Sequence, residues 1–254
     1  MCTVVVLHRP GHAWPVLIGA NRDEMRTRPW SPPGRHWPDR PAVVAGRDDL
    51  AGGTWMGVND RGLVATVLNR FGTLGPAAGK RSRGDLPLLA LDQGSAARAA
   101  HALTALPGID YRPFNMLLAD RDGAWWVTHR DGDAAHGHPE AAPVPPGLSM
   151  LTAHDLNDGQ GSARIARFLP LFRAAPVPDP DSGDWAAWQA LLGRRDPAPG
   201  AAPGEAMTMA LDNGFGTVCS ALVALPQAPE SPPLWRFAPG PADRAAWDSV
   251  ALAA

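Results

Sequence analysis

Apolar segments of this chain come in pairs that are joined by short, turn-forming sequences. CTVVVLHR (2–9) and WPVLIGANRDE (14–24) are rich in β-branched residues and are separated by the turn-prone PGHA. The segments GGTWMGVNDRGLVATVLNR (52–70) and FNMLLADRDGAWWVTHRDG (114–132) repeat this arrangement around the turn sequences NDRG and RDG. Strands joined by so short a connection pair antiparallel, because a parallel pair needs a long crossover. The pattern therefore excludes a doubly wound parallel sheet and predicts antiparallel sheets.

Apolar residues at helical spacing occur in two later blocks. The segment 82–106 predicts two helices, 162–175 predicts a third with Ser162 as its N-cap, and 184–195 predicts a fourth. Further strands are predicted at 147–156, 216–226 and 232–240. Helices that are grouped rather than alternating with strands indicate the α+β class, with helices packed outside antiparallel sheets. We expect residues 1–254 to form one domain.

Two proline-rich segments interrupt these elements. RPWSPPGRHWPDRPAVV (28–44) cannot form a regular helix or a central strand, because proline lacks the backbone N–H that both require. HPEAAPVPPG (138–147) is expected to be a loop.

Charge and cysteine content exclude several classes of protein. The net charge of −2 gives no reason to expect a nucleic-acid partner. No apolar run approaches the roughly 18 residues that span a membrane, and CTVVVL is too short for a signal peptide. Two cysteines form no disulfide framework and no CxxC pair, so we predict no metal site and a cytoplasmic location. The expected partner is a small-molecule substrate or an apolar ligand.

Cys2 directly follows the initiator methionine at the head of an apolar run. Removal of Met1 would give this residue both a thiol with a pKa of about 8.5 and an α-amine with a pKa of about 8. A terminal amine can serve as the base for an adjacent nucleophile, so Cys2 could carry nucleophile and base together. The alternative is a small buried hydrophobe that begins a strand.

Seven short motifs occur in a fixed order. They are MCT (1–3), NRDE (21–24), GRD (46–48), GGTWMG (52–57), SRG (82–84), FNMLLAD (114–120) and FGT (215–217). Together they resemble the NRDE family, also called the transport-and-Golgi-organisation protein two family. That family is similar to the N-terminal-nucleophile hydrolases of the bile-salt hydrolase and penicillin V acylase type. The resemblance implies a four-layer αββα sandwich of two antiparallel sheets between helical layers.

The same resemblance implies a catalytic set. Cys2 would be the nucleophile after Met1 removal, Asp23 would hold its amine, and Asn69 would bind the oxyanion. Three positions depart from the hydrolases or the family: Ala20 replaces an arginine, Ala153 an asparagine, and Val218 the arginine of Gly-Thr-Arg. We therefore expect neither bile-salt nor penicillin amides to be substrates.

The remaining candidate residues line the expected pocket. In a strand, Asn21 and Asp23 share one face, expected to serve Cys2, while Arg22 and Glu24 share the other and pair with structure or with substrate. Gly53, before Thr54 and Trp55, permits either a close backbone approach to a ligand or a tight bend. Arg83 of SRG and His154 complete the pocket candidates.

Two functions are compatible with these residues. The first is a cysteine hydrolase that cleaves a linear amide or thioester of a small molecule. The alternative, also implied by the family resemblance, is a non-catalytic protein that binds or traffics haem or an acyl-lipid such as acyl-CoA. No cofactor is required for the first function, and haem is a ligand only in the second.

Overall fold

The computed structural model describes residues 2–130 and 137–252, and its strands form two antiparallel sheets. The strands are β1 (Thr3–His8), β2 (Val16–Met25), β3 (Trp30–Gly34), β4 (Val43–Asp48), β5 (Met56–Asn59), β6 (Val64–Asn69), β7 (Phe114–Asp120), β8 (Gly123–His129), β9 (Glu140–Pro143), β10 (Gly147–Leu151), β11 (Phe215–Leu225), β12 (Leu234–Ala238) and β13 (Asp248–Ser249). The helices are α1 (Asp85–Leu91), α2 (Ala96–Thr104), α3 (Ala163–Ala174) and α4 (Ala186–Leu192). One sheet has the order β10-β1-β2-β11-β12-β13, and the other β3-β4-β5-β6-β7-β8-β9.

Three apolar clusters divide the molecule into layers. Alternate residues of both sheets, such as Val4, Ile18, Val58 and Leu117, meet in the core between the sheets. The other face of the seven-stranded sheet packs against α1 and α2, and the other face of the six-stranded sheet packs against α3 and α4. The result is the predicted α+β sandwich, in the layer order αββα.

The hairpins were predicted correctly. β1 pairs with β2, β5 with β6, and β7 with β8, all antiparallel. The predicted helices are present too, and Ser162 caps α3 by accepting a hydrogen bond from Ile165 N at 3.3 Å. In the described part of the chain, none of the helices is long and apolar enough to cross a membrane.

Both proline-rich segments contain strands at sheet edges. β3 lies at one edge of the seven-stranded sheet, and its register shifts between Ser31 and Gly34, around the two prolines. The expectation of a loop throughout 138–147 is wrong, because β9 forms the opposite edge of the same sheet. An edge strand has one unpaired side, so a residue such as Pro143 without an N–H is tolerated there.

The centre of the six-stranded sheet brings the candidate motifs together. β2 lies between β1 and β11, with Thr3 opposite Asn21 and Thr217 opposite Asp23. The head of β1, the end of β2 and the start of β11 are therefore neighbours. Cys2, NRDE and FGT therefore meet at one end of these three central strands.

Candidate active site

Cys2 lies beside the end of β2, in the wall of a large cavity. Its Sγ donates a hydrogen bond to the backbone O of Asp23 at 3.5 Å and accepts one from Asp23 N at 3.4 Å. The cavity has a volume of about 710 Å³, within the range of small-molecule sites. Met1 lies outside the described residues, so its removal stays a prediction.

The surroundings of Cys2 favour the neutral thiol. Burial, reinforced by the negative charge of Asp23, raises the pKa of Cys2. The backbone hydrogen bond and the positive charge of Arg22 oppose this rise in the pKa of the thiol. A nucleophile in this state needs a base to take its proton during attack.

The Asp23 carboxylate is buried and held from two sides. Arg164 Nη1, from α3, lies 3.1 Å from Oδ2, and the two side chains are 1% and 0% exposed. Thr217 Oγ1 donates to Oδ1 at 2.6 Å. Arg164 Nη1 also donates to Thr3 Oγ1 at 2.7 Å, and Nη2 to Gly204 O at 2.6 Å. These contacts fix the orientation of the carboxylate.

Sequence reasoning missed Arg164, although its position carried a signal. It lies four residues before Phe168 and eight before Phe172, on the stripe of α3 that packs against the sheet. An arginine on the apolar stripe of a helix is buried only with a partner. The place of Asp23 beneath this helix could not be read from spacing, because it depends on how α3 docks.

A β-bulge adapts β11 to this site. The register with β2 shifts between Thr217 and Cys219, which leaves Val218 as the extra residue. Thr217 consequently points to Asp23 on the helix side, while Cys219 faces the core between the sheets. The departure at Val218 therefore coincides with the irregularity that brings Thr217 to Asp23.

Three motifs meet at Arg22. Its guanidinium lies over the Trp55 ring of GGTW, with Cζ 4.1 Å from the ring centroid. Its Nη2 lies 3.7 Å from Oδ2 of Asp48 in GRD, which also accepts from Arg28 Nε at 2.7 Å. Gly46 of GRD is required because any Cβ there would run into the Trp55 ring. GRD and GGTW thus build the place in which Arg22 is buried.

Arg22 has hydrogen-bonding capacity to spare. The residue is 6% exposed, and its Nη1 has no hydrogen-bond partner among the described residues. Buried donors are almost always paired, so an unpaired Nη1 on a residue that lines the cavity is a candidate partner for a ligand atom. Cys2 packs on the same side of the sheet as Arg22. The prediction from the sequence was the opposite face, which carries Asn21 and Asp23.

Asn69 lines the same large cavity as Cys2. It is the last residue of β6, opposite Phe114, and is partly buried. No side-chain hydrogen bond involves its amide within the described part of the chain. The predicted oxyanion donor is thus brought to the cavity of the predicted nucleophile with its amide N–H groups available.

Gly53 makes a close approach to protein backbone. A Cβ on Gly53 would lie 2.5 Å from the backbone carbon of Gly84 in SRG, and Thr54 N donates to Gly84 O at 2.9 Å. The Thr54 hydroxyl is occupied by Met56 O at 3.0 Å. GGTW and SRG are therefore packed together, and this contact places Arg83 in the cavity wall.

Three other candidates have structural contacts. Asn21 Nδ2 donates to Leu192 O at 2.9 Å and Met207 O at 2.8 Å, so it ties β2 to the end of α4 and to the segment before β11. Glu24 lines the cavity, but its Oε1 accepts from the next backbone N at 2.8 Å. His154 stacks on Phe71, with ring centroids 5.6 Å apart, and is not among the residues that line the Cys2 cavity.

A second, smaller cavity lies behind Cys2, between the sheets. Its volume is about 20 Å³, and Ala20, Arg22, Cys219 and Ser220 contribute to its lining. Ala20, one of the departures noted in the sequence, and Arg22 both line this cavity. Ala153, the other departure, is buried, and its O accepts from Phe71 N at 3.1 Å.

Comparison with solved structures defines the class of fold, that of the N-terminal-nucleophile hydrolases. The N-acylethanolamine-hydrolyzing acid amidase ortholog of Caenorhabditis elegans matches with a TM-score of 0.53 at 14% identity, over 91% of this chain and 95% of that chain. One variant of conjugated bile acid hydrolase from Clostridium perfringens matches with a TM-score of 0.53 at 13% identity, over 99% of this chain and 97% of that chain. A second variant of the same hydrolase matches with a TM-score of 0.56 at 13% identity, over 98% of this chain and 92% of that chain.

The family follows from the sequence comparison. Residues 1–165 match the family described as Transport and Golgi organisation 2. The chain belongs to this family, as the motifs indicated. The Transport and Golgi organization 2 homolog of Mus musculus is 28% identical over 149 residues, which are 56% of this chain and 51% of the mouse protein. The match thus spans about half of that relative's length.

Proposed function

We propose that this protein is a cysteine hydrolase of the N-terminal-nucleophile type that cleaves a linear amide or thioester of a small molecule. The observation that carries the proposal is the shared cavity wall of Cys2, Asn69 and Arg22. It joins a thiol to two groups with unpaired N–H donors, at the head of β1 where Met1 removal would create an amine. Nucleophile, base and oxyanion donors would then lie in one site.

The reaction begins with attack of Cys2 Sγ on the carbonyl carbon. The new S–C bond displaces the carbonyl π electrons onto oxygen, and the thiol proton passes to the α-amine. Asn69 Nδ2 and Arg22 Nη1 are the proposed donors to this oxyanion. Collapse breaks the C–N or C–S bond, and the α-ammonium returns its proton to the leaving amine or thiolate. Water then attacks the thioester, the α-amine takes its proton, and the carboxylic acid and the Cys2 thiol are released.

Asp23 is the proposed anchor of the α-amine. Support comes from its place beside Cys2, since its backbone makes both hydrogen bonds to Sγ. Support also comes from Arg164 and Thr217, which hold the carboxylate in a fixed orientation. The raised pKa of the Cys2 thiol fits a mechanism in which an amine removes the proton at the moment of attack.

Thioester turnover tests the proposal. N-acetylcysteamine thioesters of acetate and decanoate release a thiol that a colorimetric reagent detects. Cys2→Ala should abolish release, whereas Cys219→Ala, which removes the buried second thiol, should retain it. Turnover by Cys2→Ala at the wild-type rate would refute the assignment of the nucleophile.

Exposed apolar side chains in the cavity favour a second function, binding without cleavage. Leu50 and Leu74 line it and are 68% and 50% exposed, as in a site for an apolar ligand. Titration of haem and of decanoyl-CoA into wild type and Cys2→Ala separates the two functions. Equal, tight binding by both proteins with no thioester turnover would favour binding alone.

A further inference from the structure

Three cations in the wall of the Cys2 cavity form no ion pair with any residue that the structure describes. Lys80, Arg83 and Arg112 line the cavity on the side formed by the β6–α1 connection and the segment before β7. Within residues 2–130 and 137–252, none of the three has a carboxylate within 4.0 Å. Neighbouring cations are unfavourable without a counter-charge, so this arrangement needs an explanation.

The two arginines are held close together. Arg83 Nη1 donates to Thr73 Oγ1 and to Pro113 O, both at 2.9 Å, and its Nη2 lies 3.4 Å from Gly75 O. Arg112 Nη1 donates to the same Gly75 O at 3.1 Å. Two guanidinium groups thus converge on one carbonyl oxygen. Burial, and then the charge of Arg112, lowers the pKa of Arg83 to about 10.

Both guanidinium groups keep donors for a ligand. A guanidinium has five N–H groups, and no hydrogen bond among the described residues uses Nε of either arginine or Nη2 of Arg112. The contacts that are made go to neutral oxygens, which orient the side chains without neutralising them. A carboxylate or phosphate is the group that such a pair binds best.

Arg81 shows the contrast within the same loop. Its Nη2 lies 3.4 Å from Asp85 Oδ2, and its guanidinium lies over the Tyr111 ring, 5.3 Å from the centroid. Its charge is therefore compensated, although it too lines the cavity. Among the described residues that line the cavity, Lys80, Arg83 and Arg112 are thus the cations without an ion pair.

The rest of the cavity is suited to an apolar chain. Three apolar side chains line it and are at least partly exposed: Leu50 at 68%, Leu74 at 50% and Met25 at 36%. Exposed apolar residues beside unpaired cations describe a site for a molecule with an apolar part and an anionic part. Arg83 and Cys2 line the same cavity, so the anionic part would be bound in the cavity that holds the reacting bond.

We propose that the substrates are acyl compounds that carry an anionic group, a carboxylate or a phosphate, and that Arg83 and Arg112, assisted by Lys80, bind this group. The inference rests on the proposed hydrolase function, whose site it shares. It adds a substrate class: an apolar acyl chain whose amide or thioester bond lies near a negative charge.

Alkylation of Cys2 tests the subsite without turnover. Iodoacetate and iodoacetamide react with thiols by the same displacement and differ in charge. The measured quantity is the ratio of the alkylation rate with iodoacetate to that with iodoacetamide. This ratio should be higher for Cys2 than for the free thiol of N-acetylcysteine amide. The double variant Arg83→Gln/Arg112→Gln should lower the ratio about tenfold, as expected for loss of charged hydrogen bonds. Arg81→Gln, the control from the same loop, should leave the ratio near that of wild type. An unchanged ratio in the double variant would overturn the proposal.

Calorimetry distinguishes a carboxylate from a phosphate as the bound group, and it tests the subsite separately from the hydrolase function. Decanoate, decyl phosphate and neutral decanamide are titrated into Cys2→Ala, with and without the Arg83→Gln/Arg112→Gln pair. Binding of decanoate or decyl phosphate that exceeds decanamide binding and is lost in the triple variant supports the subsite and identifies the group. Such binding, if the wild-type protein shows no thioester turnover, would retain the subsite and refute the hydrolase. Equal binding of all three compounds, with turnover intact, would refute the subsite and retain the hydrolase.

Discussion

Replacing Arg164 by methionine removes the guanidinium beside Asp23 while it keeps a long side chain on the apolar stripe of α3. The lost contact is a 3.1 Å ion pair between side chains that are 1% and 0% exposed. Removing one partner of a buried pair strands the other charge, at a cost of about 3–5 kcal/mol in the free energy of unfolding. Hydrogen bonds to Thr3 and Gly204 are lost in addition.

The same helix provides the control. Arg167 pairs with Asp196, whose side chain is 48% exposed, so Arg167→Met should cost less than about 1 kcal/mol. Urea unfolding monitored by tryptophan fluorescence measures both variants. Adding Asp23→Asn to Arg164→Met should recover part of the loss, because the stranded charge is gone. Equal costs for the two arginine variants, or no recovery in the double variant, would refute the buried pair as the anchor of Asp23.

Three further predictions concern packing, reactivity and domain organisation. Gly53→Ala should destabilise the protein by about 1–3 kcal/mol in urea unfolding, because the added Cβ would meet the backbone of Gly84. Gly159→Ala should cost far less, because the atom nearest to its added Cβ is 3.5 Å away. Equal costs would contradict the GGTW–SRG contact. Burial raises the pKa of Cys219 to about 12, so native Cys2→Ala should resist iodoacetamide up to pH 10 and react only after unfolding; labelling of the native variant would contradict this. If residues 1–254 form one domain, thermal unfolding should show one transition by calorimetry and by fluorescence, and two separated transitions would refute it.

The hairpins were predictable because their signals are local. Alternating β-branched runs and turns such as NDRG specify pairing between neighbours in the chain. β9 was missed because Glu140–Pro143 has a composition typical of loops and becomes a strand only by pairing with β8. Its strand character depends on a neighbour rather than on its own residues.

The site was predictable in its members more than in its contacts. The motifs brought Cys2, Asp23 and Asn69 into the candidate set, and the strand register places the first two side by side. The meeting of GRD and GGTW at Arg22 depends on how the two sheets pack, which no spacing in the sequence encodes. His154 was included because it follows a strand near the site, yet its ring packs on Phe71.

Intact-protein mass spectrometry of the native enzyme, before and after rapid acid quenching with a decanoyl thioester, tests the central proposal most directly. The account predicts a mass that lacks Met1, and after the quench a single decanoyl adduct that maps to Cys2 and is absent from Cys2→Ala. Full retention of Met1 would contradict it, because the α-amine of Cys2 would not exist. A decanoyl adduct that persists in Cys2→Ala would contradict it equally.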